Sequence, residues 1–240
     1  MVKNCARPCA VILRRGMIEF AFFDLDGTLT DSRPGILAGA AYALGRLGIK
    51  TQAEEVSTGF IGPPLYDSFR RYYGLDDANA RRAVTFYREY YGEKGLFENR
   101  VYEGAEAMLL RLGNAGCRLF VATGKPWQYA ERILRAFGLA RFFEKIYGAE
   151  FDGTRADKGE LLAYALHDSG VPAEQSVMIG DRSYDMHAAR ENGTTALGVL
   201  WGYGSRGELL DAGAQILAGT PEETARQILG KNEKTKPKGR

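Results

Sequence analysis

Four short segments of this 240-residue chain hold side chains suited to phosphorus chemistry. They are Asp24-Leu25-Asp26-Gly27-Thr28-Leu29-Thr30-Asp31, Thr123-Gly124-Lys125, Lys158, and Gly180-Asp181-Arg182-Ser183-Tyr184-Asp185. A carboxylate at the tip of a rigid strand can attack phosphorus and form an aspartyl-phosphate, and Asp24 is expected in that place. Asp26 is expected beside it, protonating a departing alkoxide and later taking a proton from the attacking water. A carboxylate that approaches a phosphate dianion is repelled by roughly 4 kcal/mol per unit-charge pair, at an effective dielectric of about 20 and about 4 Å. Two such pairs amount to roughly 8 kcal/mol, nearly six powers of ten in rate. The chemistry therefore needs cations.

The other residues are of the types that supply them. Asp24 and Asp181 offer oxygen ligands to Mg²⁺, with Asp185 as a further ligand or a support behind the ligands. Lys158 offers a fixed positive charge to the phosphate and the nucleophile. Thr123 and the backbone N–H groups around Leu25, Asp26 and Gly124 suit phosphoryl oxygens. Taken singly these signals are weak. An Asp-x-Asp-Gly turn is more often a hairpin or a helix cap, a lone Thr or Asp caps a helix, and helices commonly expose Lys. Position gives them weight.

That position comes from the elements. Ile18-Glu19-Phe20-Ala21-Phe22-Phe23 is a nearly continuous apolar run, the pattern of a strand buried on both faces. Similar runs stand at 117–122, 176–179 and 195–200, with a weaker one at 214–217. Helical patterns lie between them at 103–114, 127–137, 158–169, 185–191 and 222–229, several followed by glycine (Gly138, Gly170, Gly193, Gly230). This alternation predicts an α/β fold, a Rossmann-like parallel sheet with helices on both faces. Ligands in such sheets bind beyond the carboxyl ends of the strands, where three of the four segments fall, with Lys158 opening a helix. Residues 34–101 break the alternation. They read as helices at 35–47, 65–73 and 77–91, an α-helical cap inserted after the first strand. Its aromatic cluster Phe86, Tyr87, Tyr90 and Tyr91 is expected to be cap core. The expected organisation is an extension at 1–16, an α/β core at 17–33 and 102–230, the cap at 34–101, and a basic disordered tail at 231–240.

Composition narrows the class. The hydrophobic fraction of 45% suits a globular core, and no run reaches the roughly 18–20 apolar residues that span a bilayer. The run 10–13 is too short for a signal peptide, so a cytoplasmic protein is expected. The net charge of +2 is concentrated at the ends: residues 1–15 carry four basic and no acidic side chains, residues 231–240 five basic and one acidic, which leaves about −6 for the body. Nucleic acid is not an expected partner. Cys5, Cys9 and Cys117 form neither a disulfide framework nor a zinc site, and His167 and His187 belong to no Ser–His–Asp arrangement.

With all four motifs in order over residues 17–230, the chain resembles the haloacid dehalogenase superfamily, in particular its phosphoglycolate phosphatase-like members with an inserted helical cap. The resemblance implies a Mg²⁺-dependent phosphatase acting on a small phosphorylated metabolite. It implies Asp24 and Asp26 as catalytic residues, Thr123, Gly124 and Lys158 as phosphate-binding residues, and Asp24, the Asp26 backbone carbonyl, Asp181 and Asp185 around the metal. Asp26 argues against dehalogenase and phosphonatase members, which lack a carboxylate there. Inorganic pyrophosphatase and β-phosphoglucomutase-like activities, and a non-catalytic binding protein on the same fold, stay open. Leaving-group recognition is expected from Ile61, Gly62, Pro63, Lys125 and Arg70. Neither the physiological ester nor the oligomeric state follows from the sequence.

Overall fold

A computed structural model describes residues 17–234. What the sequence leads one to expect of residues 1–16, including Cys5 and Cys9, and of 235–240 lies outside the described residues. Strand β1 (Phe20–Phe23) leads through a turn to a two-residue strand, β2 (Thr30–Asp31), and then into helices α1 (Arg33–Arg46), α2 (Leu65–Tyr73) and α3 (Asp77–Tyr90). A π-helical turn, Tyr91–Gly95, continues α3, and β3 (Arg100–Val101) pairs antiparallel with β2. Then follow α4 (Ala105–Asn114), β4 (Arg118–Pro126), α5 (Trp127–Ala136), β5 (Lys145–Ala149), α6 (Lys158–Ser169) and β6 (Ser176–Gly180). The chain continues with α7 (Ser183–Glu191), β7 (Thr195–Val199), α8 (Arg206–Asp211), β8 (Ile216–Ala218) and α9 (Pro221–Lys234).

Six strands form one parallel sheet in the order β5-β4-β1-β6-β7-β8. Successive side chains of a strand point to opposite faces, and each face has its own core. Ala21, Phe23, Leu119, Val121, Val177 and Ile179 pack with α4, α5 and α9, a cluster that continues into the helical segment through Leu44 and Phe60. Phe20, Phe22, Phe120, Ala122 and Met178 pack with α6, α7 and α8. The expected α/β fold is therefore the observed one.

Three details depart from the sequence reading. The edge strand β5 and the short helix α8 have no counterpart in the sequence pattern. Strand β4 does not stop at Ala122 but runs through Thr123-Gly124-Lys125 to Pro126, with a register shift against β5 between Thr123 and Pro126. Gly138, Gly170 and Gly193 follow helix ends as expected, but α9 passes through Gly230 to Lys234, so the tail does not begin at 231. An isolated helical glycine costs about 1 kcal/mol relative to alanine, too little to end a helix whose first turn is capped by the Thr220 hydroxyl at 3.1 Å. Among the described residues no helix is long and apolar enough to cross a membrane.

Candidate active site

Strand β1 lies between β4 and β6, with Phe23 in register with Val121 and Ile179. The residue after Phe23 therefore emerges at the middle of the carboxyl edge. That residue is Asp24, held by its own N–H donating to the Ile179 carbonyl at 2.9 Å. Across from it, Asp181 and Asp185 follow β6. One oxygen from each of the three carboxylates lies within 4.8 Å of the others.

Lys158 opens α6, whose N-cap is Asp157, accepting the Glu160 N–H at 2.9 Å. This start aims the lysine inward. Its Nζ lies 2.8 Å from Asp24 Oδ1 and 2.9 Å from Asp185 Oδ1, with only a tenth of the side chain exposed. Burial works against the ammonium, yet Asp185 and Asp24 overcome that and hold its pKa above the ordinary lysine value. Asp185 has two tasks. Its Oδ2 accepts the Arg182 N–H at 3.1 Å at the start of α7, and its Oδ1 faces Lys158. Asp181 is fully buried and accepts the Tyr203 N–H at 2.7 Å and the Thr28 hydroxyl at 3.3 Å. Gly27 is required beside it: φ is +85°, and a Cβ would sit 2.3 Å from Asp181 Oδ2.

Three carboxylates with one ammonium leave excess negative charge in a dry place. Burial, then the charges of Asp185 and Asp24, push the Asp181 carboxyl up to about 8. Burial also raises Asp185, to about 6, with Lys158 opposing and Asp24 assisting. A hard divalent cation with oxygen ligands would relieve this strain, and Mg²⁺ fits such a donor set.

The other predicted residues divide. Asp26 joins the site with its Oδ2 2.9 Å from Lys125 Nζ. Thr123 is buried, its hydroxyl accepting the Lys125 N–H at 3.3 Å, whereas Gly124 is exposed with open space where a side chain would be. The Ile61 carbonyl accepts from Arg182 Nη1 at 2.7 Å, which brings Ile61-Gly62-Pro63 over the acidic segment after β6. Arg182 is anchored in turn on Glu208 at 2.9 Å. Arg70 stays apart: it is exposed on α2, stacked over the Tyr66 ring and bonded to the Tyr66 hydroxyl at 3.3 Å.

Sequence reasoning overlooked the loop after β7. Its Tyr203 ties Asp181 by the backbone and Asp31 by the hydroxyl, at 2.9 Å, while Trp201 Nε1 donates to the Thr28 carbonyl at 3.0 Å. The available signal was position, because Trp201-Gly202-Tyr203-Gly204 follows the carboxyl end of a sheet strand. Tyr91, read as cap core, is buried as expected, but its hydroxyl also receives a hydrogen bond from Lys125 Nζ.

A parallel sheet with a carboxylate just after a central strand, a lysine against it and two further carboxylates after the neighbouring strand defines an α/β protein with an acidic site at its carboxyl edge. The family model described as haloacid dehalogenase-like hydrolase matches residues 21–199, and the chain belongs to that family. It is 47% identical over 187 residues to a 5'-nucleotidase of Pseudomonas aeruginosa, covering 78% of this chain and 85% of that protein. It is 40% identical over 193 residues to the tyrosine-protein kinase PtkA of Mycobacterium tuberculosis, covering 80% of this chain and 65% of that longer protein. Among solved structures, a predicted phosphatase from Clostridium acetobutylicum superimposes with a TM-score of 0.84 at 39% identity, covering 89% of this chain and 99% of that one.

Proposed function

We propose that the chain is a Mg²⁺-dependent phosphatase that hydrolyses a small phosphate monoester through an aspartyl-phosphate on Asp24. The observation that carries this reading is Lys158 in contact with both Asp24 and Asp185 inside the three-carboxylate cluster. The 5'-nucleotidase and phosphatase names among the relatives support the reaction class.

In the first half-reaction an Asp24 oxygen forms a bond to phosphorus. The ester P–O bond breaks, its electron pair goes to the leaving oxygen, and that oxygen takes a proton from Asp26. In the second half, water attacks phosphorus, its proton goes to Asp26, and Asp24 leaves as a carboxylate. Lys158 reduces the repulsion between Asp24 and the phosphate. Thr123 and the N–H groups of Leu25, Asp26 and Gly124 hold phosphoryl oxygens. Asp24, the Asp26 carbonyl, Asp181 and Asp185 would hold Mg²⁺, which when bound neutralises the carboxylates and polarises the phosphate. Residues 34–101 act as a cap over the core at 17–33 and 102–230, with Ile61-Gly62-Pro63 and Lys125 facing the leaving group. A cytoplasmic metabolite such as phosphoglycolate, a nucleoside monophosphate or a sugar phosphate fits this arrangement.

The test is Asp24→Asn assayed with p-nitrophenyl phosphate and Mg²⁺. Phosphate release is expected to fall to background, and retained release rejects Asp24 as the nucleophile. One phosphate freed per ester consumed separates hydrolysis from transfer to another hydroxyl, which a mutase or kinase would require.

A further inference from the structure

Lys125 makes two contacts that phosphate binding does not explain. Its side chain is only 6% exposed, and its ammonium lies 2.9 Å from Asp26 Oδ2. The same Nζ donates to the Tyr91 hydroxyl and sits 4.7 Å from the centre of the Tyr91 ring. Asp26 Oδ1, the other oxygen of that carboxyl, is buried and has no partner among the described residues. The carboxyl is thus anchored through Oδ2, with Oδ1 buried and unpartnered.

Tyr91 is itself fixed. It opens the π-helical turn Tyr91–Gly95, a rare element that often marks a functional position. Its ring stacks on Tyr87 at 5.1 Å and meets the edge of Tyr129 at 5.8 Å. Tyr87 belongs to α3 of the inserted segment and Tyr129 to α5 of the sheet layers. The hydroxyl therefore reaches Lys125 only while the two parts are packed together.

Resting on the phosphatase reading above, we propose that Lys125 is a positioning residue for Asp26, and that Tyr91 makes this positioning depend on the helical segment being docked on the sheet. An ammonium donates hydrogen bonds and accepts none. Lys125 therefore holds the Asp26 carboxyl through Oδ2, while the Tyr91 hydroxyl holds the ammonium. Lys125 fixes the orientation of the Asp26 carboxyl. Tyr91 reports that the cap is in place.

The test compares kcat/KM on two esters with Mg²⁺: p-nitrophenyl phosphate, whose leaving group needs little protonation, and glycerol 2-phosphate, whose alkoxide needs much. Lys125→Met is expected to lower kcat/KM about tenfold or more on glycerol 2-phosphate and at most about threefold on p-nitrophenyl phosphate, a fraction of what a general acid contributes. Tyr91→Phe removes one oxygen and keeps the ring stack. It is expected to give a smaller loss with the same selectivity, and it decides the matter if Lys125→Met does not fold. Equal losses on both esters, or none on either, overturn the proposal. Asp26→Asn separates the two levels of the argument. If it is selective for the alkyl ester while Tyr91→Phe and Lys125→Met are not, the positioning role fails and the phosphatase reading stands. A wild-type chain inert toward both esters removes both.

Discussion

Lys158 stands where a lysine would be unstable without its partners. It contacts two of three clustered carboxylates and is almost wholly withdrawn from water. Replacing it with Met leaves Asp24 and Asp185 facing each other without the ammonium. Breaking a buried pair from one side typically costs about 3–5 kcal/mol, because the remaining charge is uncompensated. Lys158→Met is therefore expected to lower the unfolding midpoint in chelator near pH 8, and Mg²⁺ should restore part of the loss. An unchanged urea midpoint would deny Lys158 this role. At this scale the sequence was informative where a residue follows a strand end: Asp24, Asp181 and Asp185 meet in space as their order suggested. It was silent where the partner is distant in the chain. Lys125 and Tyr91 are 34 positions apart, and Tyr203 and Asp181 are 22 apart. No local spacing announces such pairs, and a buried tyrosine looks the same in sequence whether its hydroxyl is idle or engaged.

Among the elements, the strands read correctly are those buried on both faces, β1, β4, β6 and β7, whose apolar runs leave little alternative. The edge strand β5 was missed because Lys145-Ile146-Tyr147-Gly148-Ala149 is short, begins with an exposed lysine and contains a glycine, a residue depleted in strands. That glycine has a reason. A Cβ on Gly148 would lie 2.6 Å from the Lys125 carbonyl and 2.8 Å from the backbone of Trp127. Strand β5 thus presses on the irregular end of β4 that carries Thr123, Gly124 and Lys125. Gly148→Ala is expected to destabilise the protein by about 1–3 kcal/mol, the usual penalty for overpacking. By displacing Thr123 and Lys125 it should also raise KM for p-nitrophenyl phosphate. Unfolding curves and steady-state kinetics check both, and a variant with wild-type KM would show that β5 does not set this part of the site. The strands β2 and β3 are too short for periodicity to reveal, so the path into and out of the helical segment was legible only as a break in alternation.

For the whole molecule, the concentration of negative charge at the sheet edge links folding, protons and metal. The sequence showed an acidic body between basic ends and three carboxylates at one sheet edge, but not how fully that place is withdrawn from water. In the metal-free protein the Asp181 carboxyl is raised from 3.8 to about 8 and Asp185 to about 6, burial being the first cause of each. An acid whose folded pKa is raised keeps its proton while the unfolded chain has lost its own. The folded state then binds more protons, and stability falls as pH rises. The fall should begin near pH 4, where unfolded aspartates ionise, and level off above about pH 8. A bound cation takes the carboxylates as anions and releases those protons, so its apparent affinity should increase over the same interval. Thermal unfolding from pH 5 to 8 should therefore show the midpoint in chelator dropping. The midpoint with saturating Mg²⁺ should drop less, so that the gap between them widens as pH rises. A gap that stays constant or narrows over that interval would mean that these carboxylates do not receive the ion, and that the negative charge at the tip of β1 is balanced by protein groups alone.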